Sequence, residues 1–380
     1  MRETVRPTIP TAIAAVFAVA CAARPPRPHP PPPPVPQPGE HITWRRAETA
    51  ADVPHEPPAA GSYRIHLIDV GTGLSILIQG ADFAMLYDAG SNDKEETPAR
   101  VIAYLAAALG PSGKGALCGD PPPLSLRVID HVVLSHPHYD HTSALDVVLH
   151  CYKVDHFWDA GRTTATVFYR ELLSVVSRAP RLTYHTAASV PDDHAVSVKG
   201  LTVELPTWQR FSEGDAVRLG AGARFTILHA EPKAVPNPND NSIVLLVELG
   251  PARLLLTGDS PSGPRAEPSA PPGEVEGFLL DHHTPEIHAD ILQVGHHGSK
   301  TSSRHAFLAA VAPRLALVSS GPKVYGHTVL PDPEVIEELE RLGARVLRTD
   351  ERDADCPVHG RMGGDTGPGG CDSWIITITP

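Results

Sequence analysis

Apolar residues along the chain gather in short, β-branched runs, and several of these runs stop at Gly, Asp or His. Alternation and run length predict strands over residues 64–71 and 75–78, around a turn at Gly71-Thr72-Gly73. Residues 84–88 form a third strand, ending in Ala89-Gly90. Residues 128–134 are apolar enough for a strand buried on both faces. Further strands are expected at 201–205, 224–228, 291–294, 315–319, 344–348 and 374–379. Residues 241–249 and 253–256 should form a hairpin about Gly250-Pro251. Helical spacing appears over residues 98–109, with Pro98 at the start and Gly110 after the end. It returns over 143–149, 167–177, 303–310 and 332–342. Strand-rich halves carrying a few helices predict an α/β fold of sheets covered by helices on their outer faces. No internal repeat fixes the architecture more tightly.

The first sixty residues do not follow this pattern. Arg2 and Arg6 precede an apolar stretch, residues 8–20, that is too short to span a bilayer comfortably. Ala18-Val19-Ala20-Cys21 resembles a bacterial lipobox, with Ala18 where Leu is usual. Residues 24–39 are dominated by proline, including the run Pro30 to Pro34. Such a segment forms an extended polyproline-II spacer rather than a core. The organisation expected is a signal peptide at 1–20, a lipid-anchored Pro-rich linker at 21–61 and a folded domain at 62–380. The mature protein is then an exported lipoprotein facing the periplasm or cell exterior. It is held by lipid on Cys21 and has no transmembrane helix. Plain secretion with cleavage after Ala20 is the alternative.

Four other cysteines remain: Cys118, Cys151, Cys356 and Cys371. An even number in an exported chain permits two disulfides, with three connectivities. Cys356 and Cys371 bracket a Gly-rich loop, and Cys118 could join Cys151. The 380 residues carry a net charge of −12, so broad electrostatic capture of nucleic acid is not expected. Such a substrate would have to be held locally. The 21 histidines, by contrast, fit metal chemistry.

The chemistry concentrates after the buried strand at 128–134, in Ser135-His136-Pro137-His138-Tyr139-Asp140-His141. A loop at a strand end is a rigidly held place for catalytic groups. Imidazole and carboxylate ligands suit zinc, manganese or iron. His136 and His138, one residue apart, can point at one ion, and Asp140 and His141 at a second. Two further strands end in ligands. One runs into Gly258-Asp259, where the carboxylate could bridge two ions. The other runs into His296-His297-Gly298-Ser299. Tyr325-Gly326-His327 is a further loop histidine.

These pieces resemble the metallo-β-lactamase superfamily. Within it, the chain is similar to the soluble hydrolase domain of ComEC-type DNA-uptake proteins and their stand-alone relatives. The resemblance is carried by His66-Leu67-Ile68-Asp69-Val70-Gly71, Leu86-Tyr87-Asp88-Ala89-Gly90 and the 135–141 run. It continues through Asn239-Asp240-Asn241-Ser242, Leu256-Thr257-Gly258-Asp259, residues 296–303 and Tyr325-Gly326-His327. It implies an αββα sandwich with two divalent metal ions at one edge, zinc ahead of manganese as the metal for both. His136 and His138 would hold the first ion. Asp140, His141 and one of His296 and His297 would hold the second, with His296 preferred, and Asp259 would bridge. Many members supply a third first-site histidine ahead of the Asp259 strand; here Asn239 and Asn241 occupy that region, and His229 is upstream. Thr72, Ser75 and Thr328 also depart from the subgroup pattern.

The implied activity is hydrolysis of a phosphoester, including DNA or RNA, by a metal-activated hydroxide. Asp140 or Asp259 would orient it, and His327 would serve as proton donor. Asn241, Ser299, Lys300 and Ser303 are candidates for substrate contact. A hydrolase of lactones or β-lactams, and a non-catalytic surface lipoprotein that keeps the fold for binding, are the competing readings. The oligomeric state is left open. The expected outcome at the N-terminus is a lipid-modified Cys21. Mass spectrometry of the mature terminus checks it, and a cleaved but unmodified Cys21 would leave secretion without an anchor.

Overall fold

The computed structural model describes residues 41–93, 99–110, 118, 128–161, 166–179, 181–188, 195–198, 200–205, 207–233, 235–356, 362 and 369–380. The expected signal peptide, Cys21 and most of the Pro-rich linker lie outside the described residues. In chain order the first half holds β1 (Ile42–Ala47), β2 (Tyr63–Leu67), β3 (Ile76–Gln79), β4 (Ala84–Tyr87), α1 (Ala99–Leu109) and β5 (Val128–Leu134). Next come α2 (Tyr139–Thr142), α3 (Leu145–Cys151), β6 (Lys153–Asp159), α4 (Val167–Arg178), β7 (Thr183–Thr186), β8 (Ala195–Val198), β9 (Leu201–Glu204) and β10 (Trp208–Arg210). The second half holds β11 (Ala216–Gly220), β12 (Ala223–His229), β13 (Val244–Leu249), β14 (Ala252–Leu256), α5 (Glu274–His283) and β15 (Ile291–Gln293). It ends with α6 (His305–Val311), β16 (Leu315–Val318), β17 (Val324–Tyr325), β18 (Thr328–Val329), α7 (Pro333–Arg341), β19 (Arg345–Arg348) and β20 (Ser373–Ile378).

The strands make two large sheets, ordered β1-β20-β2-β3-β4-β5-β6-β7-β10 and β11-β12-β13-β14-β15-β16-β19. Side-chain alternation sorts each strand between two layers. From β4 and β5, Tyr87 and Val133 enter a core shared with Phe225, Val247, Leu254 and Leu317 of the other sheet. Their neighbours Leu86 and Val132 face the other way, against Tyr104, Leu105, Leu145 and Leu172 of α1, α3 and α4. On the second sheet Leu246, Leu255 and Leu292 meet Leu279, Phe307, Leu308 and Leu339 of α5, α6 and α7. The architecture is therefore the αββα sandwich that the strand pattern and the resemblance imply.

Pairing direction matters most for the chemistry. β4, β5, β6 and β7 run parallel, as do β14, β15, β16 and β19. Parallel strands deliver their C-terminal loops to one edge. Asp88, Ser135 and the residues after it, Asp259, His296 with His297, and Ser319 all follow such strands.

The folded part begins earlier than Ser62. Strand β1 pairs antiparallel with β20, Ile42 opposite Ile378 and Ala47 opposite Ser373. Polar Thr43, Arg45 and Arg46 hide it from a hydrophobic scan, yet Arg46 lies 4.7 Å over the Trp374 ring and 2.7 Å from Asp372. Helix α5 was also not foreseen, because it follows a Pro-rich loop and buries only one side. Helix α3 starts two residues beyond its expected start, since α2 takes the first turn after the metal-ligand motif. Disulfides join Cys118 to Cys151 and Cys356 to Cys371, the expected pairs. Among the described residues no helix is long and apolar enough to cross a membrane.

A chain starting at Ser62 should be less stable than one starting at His41 by at least about 3 kcal/mol. It loses the burial of Ile42 and the hydrogen bonds that β1 gives β20. Urea midpoints of the two chains check this; equal midpoints would return the boundary to Ser62.

Candidate metal centre

The motif after β5 is held from beneath by Asp88, which sits at φ 58° just past β4. Its carboxylate accepts the Ser135 backbone N–H at 2.7 Å and the Ser135 hydroxyl at 2.6 Å. It also accepts Nδ1–H of His141 at 2.7 Å. With Nδ1 so occupied, His141 turns Nε2 into the cluster. A carboxylate behind a ligating imidazole fixes the ring and its tautomer. The Ser135 hydroxyl, having donated to Asp88, faces Nδ1 of His136 at 3.1 Å, which likewise frees His136 Nε2.

From the other sheet, Asp259 follows Gly258, which has φ 57°. A Cβ at Gly258 would stand 2.8 Å from the Ser135 Cβ, so the two loops meet there at backbone distance. The Gln293 carboxamide holds this turn, accepting from Gly258 N at 2.8 Å and donating to Gly258 O at 3.0 Å. His296 and His297 both have left-handed backbones, at φ 49° and 55°. Two such non-glycine residues in succession are costly and mark sites that the surroundings over-determine. The turn aims His297 inward: Nδ1–H donates to Ser319 O at 2.9 Å, leaving Nε2 free.

The result is a convergence of lone pairs. His141 Nε2 lies 3.3 Å from Asp259 Oδ1, and His136 Nε2 lies 3.7 Å from Asp259 Oδ2. His297 Nε2 lies 3.6 Å from Asp259 Oδ2 and 3.7 Å from Asp140 Oδ2. His136 Nε2 and His138 Nδ1 are 3.0 Å apart, close to the separation of about 3.3 Å expected for two nitrogens on one tetrahedral zinc. His141 Nε2, Asp259 Oδ1 and His297 Nε2 are buried without a hydrogen-bond partner. Buried polar atoms without partners are costly, and a shared cation removes that cost. Two ligand triads result: His136, His141 and Asp259; and Asp140, His141 and His297. The donor set therefore fits two divalent ions that share His141 or Asp259.

The electrostatics divide the imidazoles into those already neutral and those that hold a proton a cation would displace. Burial pushes the pKa values of His136 and His138 down, so both imidazoles are neutral. Burial also opposes charge on His141, but Asp259 and Asp88 outweigh it and raise that pKa well above the ordinary value. Burial likewise works against the carboxylates. The imidazoles around them prevail, and Asp140 and Asp259 stay below the usual carboxylate range.

Several sequence expectations need correction. His297 reaches both Asp259 and Asp140 and joins a ligand triad, whereas the preferred His296 reaches only Asp259, its Nε2 3.8 Å from Oδ2 and 3.4 Å from Asn239 Nδ2, with Nδ1 on the Thr301 hydroxyl at 2.6 Å. His229, as its upstream position implied, is in neither ligand triad; its ring packs against Phe278 of α5 with centroids 5.4 Å apart. Asn239, with a buried, unpartnered Oδ1, stands at the first site instead. Asn241 is structural: its Nδ2 donates to the carbonyls of Glu231 and Lys233. Lys300 is paired with Glu334 at 2.6 Å and Glu267 at 3.1 Å. Ser303 is buried, its backbone N–H bonded to Glu276. His327 is exposed at the hairpin turn between β17 and β18 and does not border the cavity above the centre. Of the proposed substrate contacts, only Ser299 does.

That cavity, of about 570 Å³, adds residues that sequence reasoning missed: Asn92, Tyr139, Phe168, Arg265, Lys323 and Tyr325. Asn92 Nδ2 donates to Asp140 Oδ2 at 2.7 Å and to the Tyr325 hydroxyl at 2.9 Å. Tyr325 is two residues from His327, so the motif pointed at the right hairpin and the wrong side chain.

Residues 68–321 match the family model described as Metallo-beta-lactamase superfamily. The chain is 27% identical over 226 residues to ComE operon protein 3 of Bacillus subtilis, covering 60% of this chain and 24% of that protein. It is 26% identical over 283 residues to Competence protein ComA of Neisseria gonorrhoeae, covering 74% and 30%. It thus spans under a third of the length of these relatives. Among solved structures it is similar to the metallo-beta-lactamase fold protein YhfI of Bacillus subtilis. There the TM-score is 0.41 and the identity 15%, covering 76% of this chain and 97% of that one. Zn(2+)-bound PqqB of Methylobacterium extorquens gives a TM-score of 0.41 at 12% identity, covering 75% and 97%.

Purified protein is expected to bind up to two divalent ions. Asp88→Asn should weaken binding about 10–100-fold without touching a ligand, because His141 loses its orienting carboxylate. His297→Ala should lose more affinity than His296→Ala. Elemental analysis and chelator competition measure all three. A larger loss in His296→Ala would restore the sequence preference.

Proposed function

Because the chain belongs to the metallo-beta-lactamase superfamily, we propose that it is a metal-dependent hydrolase of phosphodiesters, a nuclease among the candidate forms. The observation that carries this reading is the convergence of His136, His138, Asp140, His141, Asp259 and His297 beneath a cavity bordered by Lys323 and Arg265. Two divalent ions, when bound, would supply a hydroxide near neutral pH and neutralise charge building on a phosphoryl oxygen.

The chain's own groups do the rest. Asp140 is fixed as a carboxylate by Asn92 and His297, and can orient the attacking water. Asn239 in place of a histidine leaves the first site open on the side of His138, where a phosphodiester can present a second oxygen. A lactam carbonyl has only one oxygen to offer and gains less there. Lys323, with no ion pair among the described residues, borders the path of an incoming phosphate. Arg265 is partly neutralised by Asp332 at 2.5 Å and donates to Ser299 at 3.2 Å. The leaving oxygen takes its proton from within the cavity, where Tyr325 and Lys323 lie and His327 does not.

The place of action in this reading is outside the cytoplasm, with Cys21 as lipid anchor. Two disulfides support it, since such bonds persist in oxidising compartments.

With zinc or manganese loaded, kcat/KM should be higher for bis-p-nitrophenyl phosphate and DNA than for a chromogenic cephalosporin or a lactone. Asp259→Ala should lose both metal and activity. His327→Ala should stay within about twofold of wild type, against the 10²–10⁴-fold drop expected of a general acid. A cephalosporin or lactone as best substrate overturns the assignment. Absence of all turnover in metal-loaded protein leaves the binding-protein reading.

A further inference from the structure

We infer that the mouth of the metal centre is a nucleobase subsite, with Tyr139 as its stacking platform and Tyr325 as the opposite wall, selecting an unpaired strand over a duplex. This rests on the phosphodiesterase reading and names its substrate more narrowly. Few large apolar side chains are exposed anywhere in the described residues. Two of them, Tyr139 at 39% and Tyr325 at 37%, border the cavity above the ligands. Exposed rings at the rim of a polar site mark ligand grooves.

Neither ring is loose. Phe168 packs edge-on against Tyr139, with centroids 5.5 Å apart and planes at 84°. That contact braces the tyrosine without a parallel stacked partner. The Tyr325 hydroxyl is tied to Asn92 at 2.9 Å and reaches Asp140 at 3.4 Å. Lys323 Nζ stands 5.2 Å from the centre of the Tyr325 ring. A cation, a phosphate-handling centre and held aromatic faces in one cavity are the ingredients of single-strand binding.

The remaining lining decides between a base and an acyl chain. Thr166, Ser299, Thr301 and Thr328 line the walls with hydroxyls, and Leu330 is the only aliphatic hydrocarbon side chain among the lining residues. A lipid tail needs an uninterrupted apolar channel, whereas a base has polar edges to satisfy. Val324 and Val329 pair on the opposite face of the β17–β18 hairpin from Tyr325 and Thr328, so they take no part. Burial of the ligands disfavours the duplex. Asp259 and His297 are only 2% and 4% exposed, at the cavity floor. A phosphate within paired, stacked strands cannot descend into about 570 Å³, while a strand with a splayed base can.

The test uses the mature chain and a fluorescent oligothymidylate of about eight nucleotides, a common single-strand site size. Its partners are an abasic deoxyribose-phosphate oligomer of the same length and the corresponding duplex. Anisotropy is read in EDTA and again with calcium. Oligothymidylate should bind about tenfold or more tightly than the abasic oligomer. Tyr139→Ala should collapse that ratio towards one, and Tyr139→Trp should keep it. Phe168→Ala should reduce it in part, without altering a residue of the metal loop. Equal binding of base-bearing and abasic oligomers overturns the subsite, as does no binding of either or a preference for duplex. Displacement of oligothymidylate by phosphatidylglycerol vesicles overturns it in favour of a lipid. Hydrolysis of methyl p-nitrophenyl phosphate is measured beside it. Hydrolysis without base-dependent binding removes the subsite and leaves the phosphodiesterase. Base-dependent binding without hydrolysis does the reverse.

Discussion

The structure depends on a cost left unmet within the protein: two carboxylates and several imidazoles packed out of reach of water, with His141 Nε2, Asp259 Oδ1 and His297 Nε2 unpartnered. A folded domain ordinarily pairs such atoms or leaves them at the surface. Here the surroundings hold them facing one another. Asp88 braces His141, Gln293 braces the Asp259 turn, and Ser319 O braces His297. Each brace takes the outer nitrogen or the backbone and leaves the inner lone pair free. Binding of cations and folding of this edge are thus one free-energy problem.

Topology makes the arrangement feasible. In each sheet an antiparallel part supplies stiffness, and a parallel part supplies ligands. Two parallel strands of the first sheet, β4 and β5, and three of the second, β14, β15 and β16, deliver site residues to the shared edge, so no ligand has to be carried there by a long loop. The close approach at Gly258 to Ser135 brings the two edges together. Any larger residue at Gly258 would both strain φ 57° and push Asp259 away from His136 and His141. The strained pair His296-His297 serves the same end from β15.

Much of this was legible in the sequence, for physical reasons. Strands such as 128–134 are written as apolar runs because both their faces are buried. The ligands that follow them are written as an unusual density of His and Asp. What was not legible depended on side-chain direction and long-range pairing. His296 stands nearer its strand end than His297, but an αL–αL turn reverses which ring points inward. Lys300 looks like a phosphate ligand until Glu267 and Glu334 are brought to it from distant segments. Tyr325 has no local mark that distinguishes it from His327; only the hairpin register places it with Thr328 on the inner face. Strand β1 is hidden because its polar residues are satisfied by Asp372 and Trp374 at the far end of the chain.

The charge of the chain sharpens what the cavity must do. At a net charge of −12, the long-range field repels a polyanion, and salt screens that repulsion beyond about 8–10 Å. On the phosphodiesterase reading, capture then rests on contacts made at short range: the cations the centre would hold, Lys323, and the partly neutralised Arg265. So few phosphate contacts cannot by themselves discriminate or retain a strand, because phosphate binding is additive and blind to sequence and pairing. Beside the hydroxyls of the walls, ring faces are the remaining source of affinity on the lining. They are not repelled by the protein's charge, and they require a base free of its stack. In an acidic protein, discrimination at such a site shifts from charge to shape and stacking, and the two tyrosines at the mouth hold that part of the cavity.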